Sequence, residues 1–267
     1  MILLIPLDIC YIIAEYATPL KLLDWIPQGK LYWKYLSINP AAIHLLEANL
    51  DKIDWDYLSA NPMAMHLLEA NPYKIHWYFL SRNPAAIHLL EANLSKINWG
   101  CLSENSTAIY LLEANLSKIN WGRLSENSAA VYLLEANPDK IIWIYLSANP
   151  TKWAMHMLEA NPDKIHWYTL SRNPTEWAIH LLEANPDKIN WINLSLNPAA
   201  IHLLEANPDK INWNELSKNP AAIHLLEANL DKISWHCIFS NPAIFKIDQK
   251  KVIELACRLH VNTKIKC

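Results

Sequence analysis

Trp33, Trp55, Trp77, Trp99, Trp121 and Trp143 follow one another in steps of 22 residues, Trp167 and Trp191 in steps of 24, and Trp213 and Trp235 at 22 again. Between them runs one phrase, W-x-x-L-S-x-N-P-A-A-I-H-L-L-E-A-N-P-D-K-I-x. Nine such units fill residues 33–234, and a tenth opens at Trp235 and breaks off. A fixed period of this length restricts the fold to an array in which each unit leans on its neighbours. Trp25, Trp153 and Trp177 stand outside the register. The last two lie in the 24-residue units, where NPTKWAMHMLEAN and NPTEWAIHLLEAN carry two extra residues.

A continuous coiled coil of paired hendecads would also give 22. Most units hold one or two prolines, however, and these would cut such a helix at every recurrence. Short helices fit the punctuation. Asn39-Pro40 sets an N-cap acceptor before a residue with helical φ and no N–H to satisfy. Ala42, Ile43, Leu45 and Leu46 then form an apolar stripe, and Asn49 is expected to end the helix in a left-handed conformation. The residue before the next Trp is Asp54, Asn98, Asn120, Asn190, Asn212 or Ser234 in six of the nine units. That pattern predicts a tight turn or 3₁₀ segment, then a short helix starting at the Trp.

The chain therefore reads as all-α, an α-solenoid of nine 22–24-residue repeats, each of two short helical pieces. One unit alone cannot bury enough apolar surface to offset the ordering of its backbone, whereas stacked units share their faces. At helix spacings of ~8–10 Å, nine units predict a rod or superhelix of roughly 80–90 Å. Residues 1–32 would cover one end. Residues 235–267 would cover the other with a partial repeat and an amphipathic helix from Asp248, its Val252, Ile253, Leu255, Ala256 and Leu259 facing inward.

Composition narrows the function. A formal charge of −3 argues against bulk nucleic-acid binding, which needs an excess of Lys and Arg. An apolar fraction of 52% with 18% charged residues argues against disorder. Cys10, Cys101, Cys237, Cys257 and Cys267 are odd in number and scattered, which excludes the usual disulfide frameworks and zinc ribbons and suits a reducing, intracellular compartment. The opening MILLIPLDICYIIAEYA lacks a basic region and is interrupted by Pro6, Asp8 and Glu15, so it reads as neither a signal peptide nor a membrane span.

Several rows invite a chemical reading. His44, His66, His88, His156, His180, His202 and His224 share one repeat position, with Tyr110 and Tyr132 in the other two units. Metal ligands converge within about 2.0–2.3 Å of one ion, whereas equivalent solenoid positions lie a helix spacing apart, so the row reads as packing with a polar tip. The invariant Glu row (Glu47 to Glu227) and Lys row (Lys52 to Lys232) read as surface charges that neutralise one another. The Trp ladder reads as the largest knob of the core. Nothing resembles a catalytic constellation, and no cofactor or metal is expected.

The informative positions are those that differ between units: the two residues after each Trp and the one after each L-S. They should form one continuous ridge, with Tyr57, Tyr78, Phe79, Arg82, Tyr145, Tyr168 and Arg172 as partner-binding anchors. Trp153 and Trp177 are expected to add an exposed apolar spot. Units four and five are near copies (LSKINWG, ENS, Tyr for His) and units six and seven share the insertion, a pattern of tandem duplication that argues against a separate role for each unit.

The phrase LSxNPAAIHLLEANPDKINW resembles short helical-repeat proteins encoded in large DNA viruses of protists. Its rhythm also looks like leucine-rich variant repeats, which alternate α and 3₁₀ helices; Cys10 stands alone, so the iron–sulfur cluster some of those carry is not expected. The stretch IPLDICYIIAEYATPLKLLDWIPQGKLYW is similar to an F-box through Ile5, Pro6, Ile9, Ile12, Ile13, Pro19, Leu22, Leu23, Lys30 and Trp33. Gly29 and Pro27 depart from that pattern. The resemblance implies docking of an apolar helix pair on the linker subunit of a host cullin ubiquitin ligase, in the host cytoplasm or nucleus. The expectation is a non-enzymatic interaction scaffold, with a ligase substrate adaptor as its sharper form and a structural virion protein as the alternative. No nucleic acid or membrane partner is expected.

Overall fold

The computed structural model describes residues 6–265. Units are numbered 1 to 10 from Trp33 to Trp235. Unit 1 shows the common plan: an α-helix at Trp33–Ile38, a 3₁₀ turn at Pro40–Ala42, an α-helix at Ile43–Glu47 and a 3₁₀ turn at Leu50–Lys52. The capping logic of the sequence is realised. Asn39 Oδ1 accepts from the Ala41 N–H at 3.0 Å. Before the Trp helices, Asp54, Asn98, Asn120, Asn190 and Asn212 accept in the same way from the third residue on; Ser234 makes no such bond.

The ending of the second helix differs from the expectation. No non-glycine residue among those described has positive φ. Asn49 sits at φ −142° and ψ 56°, and its side-chain Nδ2 donates to the Leu45 carbonyl at 2.8 Å. The amide closes the helix by capping a terminal carbonyl directly, so no left-handed residue is required. In units 6 and 7 the two added residues fuse the 3₁₀ turn and the helix into single helices, Lys152–Glu159 and Glu176–Glu183, capped by Thr151 and Thr175.

Three ladders of fully buried side chains form the core. Leu36, Leu58, Leu80 and their equivalents come from the Trp helices. Ala42, Ala64 and Ala86 lead a second row, and Leu46, Leu68 and Leu90 a third. The tryptophans are not the deepest knobs; each lies half-buried against this core. Trp153 and Trp177 are likewise half-buried against it and do not form an exposed spot.

Between the ladders runs a buried polar spine. Asn61 Nδ2 donates to the carbonyls of both Ser37 and Asn39, at 3.0 Å each, in the preceding unit. Ser37 Oγ donates to the Trp33 carbonyl at 2.7 Å and accepts from the Asp54 N–H at 3.0 Å. The L-S-x-N segment is thus a hydrogen-bonding cassette whose Asn and Ser are buried and satisfied.

This spine has no ends. Asn39 Nδ2 donates to the carbonyls of Phe239 and Asn241, both at 3.0 Å, as the later Asn residues do to the unit before them, Asn127 through the Ser103 carbonyl alone. Unit 1 therefore stacks on unit 10, and the expected rod is a closed ring. Ten steps of ~8–10 Å give a circle roughly 25–32 Å across at the helix axes.

Closure uses both termini. Unit 10 contributes a helix at Trp235–Ile238 and a 3₁₀ turn at Pro242–Ile244, then departs from the plan into strand β2, Phe245–Ile247. Strand β1, Leu20–Leu22, pairs with it antiparallel, Leu20 opposite Ile247 and Leu22 opposite Phe245. The Leu23 N–H bonds to the Ile244 carbonyl at 2.8 Å, Ile26 enters the core, and a 3₁₀ turn at Gln28–Lys30 leads into Trp33. Residues 20–32 therefore supply the half-unit that the C-terminal end lacks, and residue 33 is not a structural boundary.

Two helices remain outside the ring, Leu7–Ala17 and Gln249–Ile265. They pack on each other through Cys10, Ala14, Val252 and Ala256. The C-terminal helix was expected to cover the last repeat. A closed ring leaves no end to cover, and Ile253, expected inward, is exposed.

Candidate interaction surfaces

Curvature identifies the concave side. Arg172 of unit 7 pairs with Glu126 of unit 5, passing over Ala148 of unit 6. Side chains two units apart can meet in this way only on the inside of a curve. The positions that vary between units line this inner wall in two arcs.

The first arc is aromatic. Tyr35 and Tyr57 have ring centroids 6.2 Å apart, Tyr57 and Phe79 5.2 Å, and Phe79 and Tyr78 5.3 Å. Tyr35 also meets His236 across the closure at 6.1 Å. Lys34 lies over the Tyr57 ring and Arg82 over that of Tyr78. The structure thus brings together Tyr57, Tyr78, Phe79 and Arg82 of the expected ridge. Tyr145 and Tyr168 lie further round, both exposed. Gly122 makes room for Tyr145: a Cβ there would stand 3.0 Å from the ring.

The second arc is charged and lines an open cavity of about 500 Å³ across units 3 to 7. Glu104 receives both Arg82, at 3.0 Å, and Arg123, while Glu126 receives Arg172. Of these, the ridge reading chose only Arg82 and Arg172. Arg123, Glu104 and Glu126 occupy variable positions too, and what links the five is ring curvature, which no single unit displays.

The rows resolve into contacts between neighbours. His66 Nε2 lies 2.8 Å from Glu47, His88 2.8 Å from Glu69, His202 2.8 Å from Glu183 and His224 2.9 Å from Glu205. Where Tyr replaces His, the hydroxyl donates to the same carboxylate: Tyr110 to Glu91 and Tyr132 to Glu113. The Glu91 carboxylate pushes the Tyr110 phenol up to about 12, and burial with Glu113 raises that of Tyr132. Lys74, Lys96, Lys118 and Lys232 do not neutralise the Glu row. Each ammonium lies over the Trp ring that opens its own unit, 4.1–4.8 Å from the centroid.

The F-box-like residues divide. Ile5 lies outside the described residues. Pro6 precedes the N-terminal helix, on which Ile9 and Ile12 are 41% and 50% exposed, beside exposed Leu7, Tyr11 and Ile13. Leu22 and Leu23 are half-buried against the ring core. Among the described residues no helix is long and apolar enough to cross a membrane, and no three His, Cys, Asp or Glu side chains are grouped to hold a metal ion. Comparison with protein-family models, curated proteins and solved structures finds no match.

Proposed function

We propose that the chain is a non-catalytic interaction scaffold: a rigid ring that presents one protein-docking face on its N-terminal helix and selects a second partner along its concave wall. The observation that carries this reading is the row Leu7, Ile9, Tyr11, Ile12 and Ile13. The helix buries only a narrow stripe, Cys10 and Ala14, and leaves these five exposed, with Ile9, Ile12 and Ile13 together on the side away from that stripe. Exposed apolar patches of this kind mark docking sites in folded proteins. The F-box resemblance supports a cullin linker subunit as the occupant and so a ligase adaptor, with Ile9 and Ile12 in contact and Leu22 and Leu23 serving the ring. An intracellular protein encoded by a virus is consistent with the repeat phrase and the scattered cysteines.

The test is co-purification of the full chain with the linker subunit, compared with an Ile9→Glu/Ile12→Glu/Ile13→Glu variant. Point changes are preferable to removing residues 1–32, because that deletion would also take away residues 20–32, which complete the divided unit of the ring. Retention by the unmodified chain alone supports the adaptor. If the chain instead self-associates and the variant is monomeric, the same face serves a structural scaffold. Equal behaviour of a folded variant in both assays would overturn the docking role.

A further inference from the structure

We infer that the concave cavity of units 3 to 7 is an oxyanion-binding site, built to take a carboxylate or phosphate group of a ligand that enters the ring. Three features converge there. The chain has four arginines, Arg82, Arg123, Arg172 and Arg258, against nineteen lysines, and three of the four line this one cavity. No lysine lines it. A surface that needed positive charge alone could use either residue; the planar fork of Arg is the group that matches an oxyanion with paired N–H donors.

The second feature is charge balance. Three guanidiniums face two carboxylates, Glu104 and Glu126, which leaves one positive charge unmatched in a chain of formal charge −3. The carboxylates hold the guanidiniums in place without exhausting their donors. Arg82 Nε is buried and lies 3.0 Å from Glu104, yet out of line with it, so its N–H has no directed acceptor.

The third feature is a change of wording confined to the same place. After the spine Asn, eight of the ten units have Pro, and units 4 and 5 have Ser106 and Ser128. Both serines line the cavity. Pro is the better residue for the turn that follows, since its φ is already set. Ser gives up that advantage and puts a hydroxyl donor and an N–H at the rim of the cavity, where Pro has neither.

The experiment titrates the full chain with inorganic phosphate and, separately, with glutarate, by calorimetry at constant ionic strength held with chloride. The same titrations are run on Ser106→Pro/Ser128→Pro, which restores the wording of the other eight units, and on Arg123→Gln. The expected result is saturable binding of at least one anion, weakened by about tenfold or more in both variants while their circular dichroism and urea midpoints show a folded ring. Phosphate alone would identify a phosphorylated ligand, and glutarate alone a carboxylate. Absence of saturable binding of either anion, or equal affinity in folded variants, would overturn the assignment and leave the arginines as ties between units. The site does not depend on the docking role of the N-terminal helix, so the triple Glu variant there should bind the anion unchanged.

Discussion

Ring closure makes a quantitative demand on Asn39. Its environment matches that of Asn219 group by group. Both are fully buried, both precede Pro-Ala-Ala-Ile-His, and both accept from the second N–H onward at 3.0 Å. Asn219 Nδ2 donates to the Ser195 and Asn197 carbonyls at 3.0 and 3.1 Å, and Asn39 Nδ2 to those of Phe239 and Asn241 at 3.0 Å. Replacing either by Ala leaves two buried carbonyls short of a donor, at about 1–3 kcal/mol each, and removes a cap worth about 1 kcal/mol. The expected loss is roughly 3–7 kcal/mol for each variant. In an open rod the Asn39 amide would face water, and Asn39→Ala would lose the cap alone. Urea unfolding of the two variants measures the difference directly. Equal downward shifts of the midpoint support closure. A shift for Asn219→Ala several times larger than for Asn39→Ala would refute it.

Other consequences follow from single contacts. Because Glu91 raises the Tyr110 phenol to about 12, the contact is fully present below the ordinary phenol value near 10 and is lost as pH rises from there towards 12. Tyr110→Phe should remove one late-titrating phenol from the absorbance titration and lessen the loss of stability over that window. Asp24 is held below its ordinary value of 3.8, first by its hydrogen bond from Lys246 at 2.6 Å, so its contribution to the joint between β1 and β2 is present above that value and disappears as pH falls below it. Asp24→Asn should flatten that acid limb of the stability curve by lowering stability at neutral pH towards the acid value. Gly122→Ala should displace the exposed Tyr145 ring, a cost that the helix gain of about 0.5–1 kcal/mol offsets, so the urea midpoint should change little. Leu80→Ala, at a fully buried rung, should cost about 2–5 kcal/mol.

The contrast among these sites explains what the sequence could and could not disclose. Local rules were legible because they are written within one unit: Asn39-Pro40 caps and starts a turn, Asp54 caps the Trp helix, and Ile43 and Leu46 face inward. Relations between units were legible only in part. The His row read as packing, with Tyr110 and Tyr132 as replacements that keep the shape; the side chains are instead exposed and meet the Glu of the unit before, as the Tyr hydroxyls do. The Lys row misled even within a unit, because charge suggested Glu as its neighbour, whereas Lys74 lies over Trp55 of its own unit. The charged cavity was the least legible. Glu104, Glu126 and Arg172 belong to three different units and meet only because the wall between them is concave.

Curvature is a property of the stack, since each interface contributes a small rotation and closure needs ten of them to sum to a full turn, about 36° each. No residue encodes that angle by itself. The closure nonetheless left a trace in the sequence, in the form of two fragments. The C-terminal one runs W-H-C-I-F-S-N-P-A-I and then stops short of the second helix and the Lys turn. The N-terminal one, W-I-P-Q-G-K-L-Y before Trp33, has a Pro, a Lys three residues ahead of the Trp, and an apolar residue between them, as the missing half does. Together they make one unit, divided between the two ends of the chain. An open array can finish with any polar cover, whereas a ring joined through a divided unit cannot close until both termini have been made. Strand β1 against β2, and the Leu7–Ala17 helix against the Gln249–Ile265 helix, then lock a joint that the repeat interface alone has already specified.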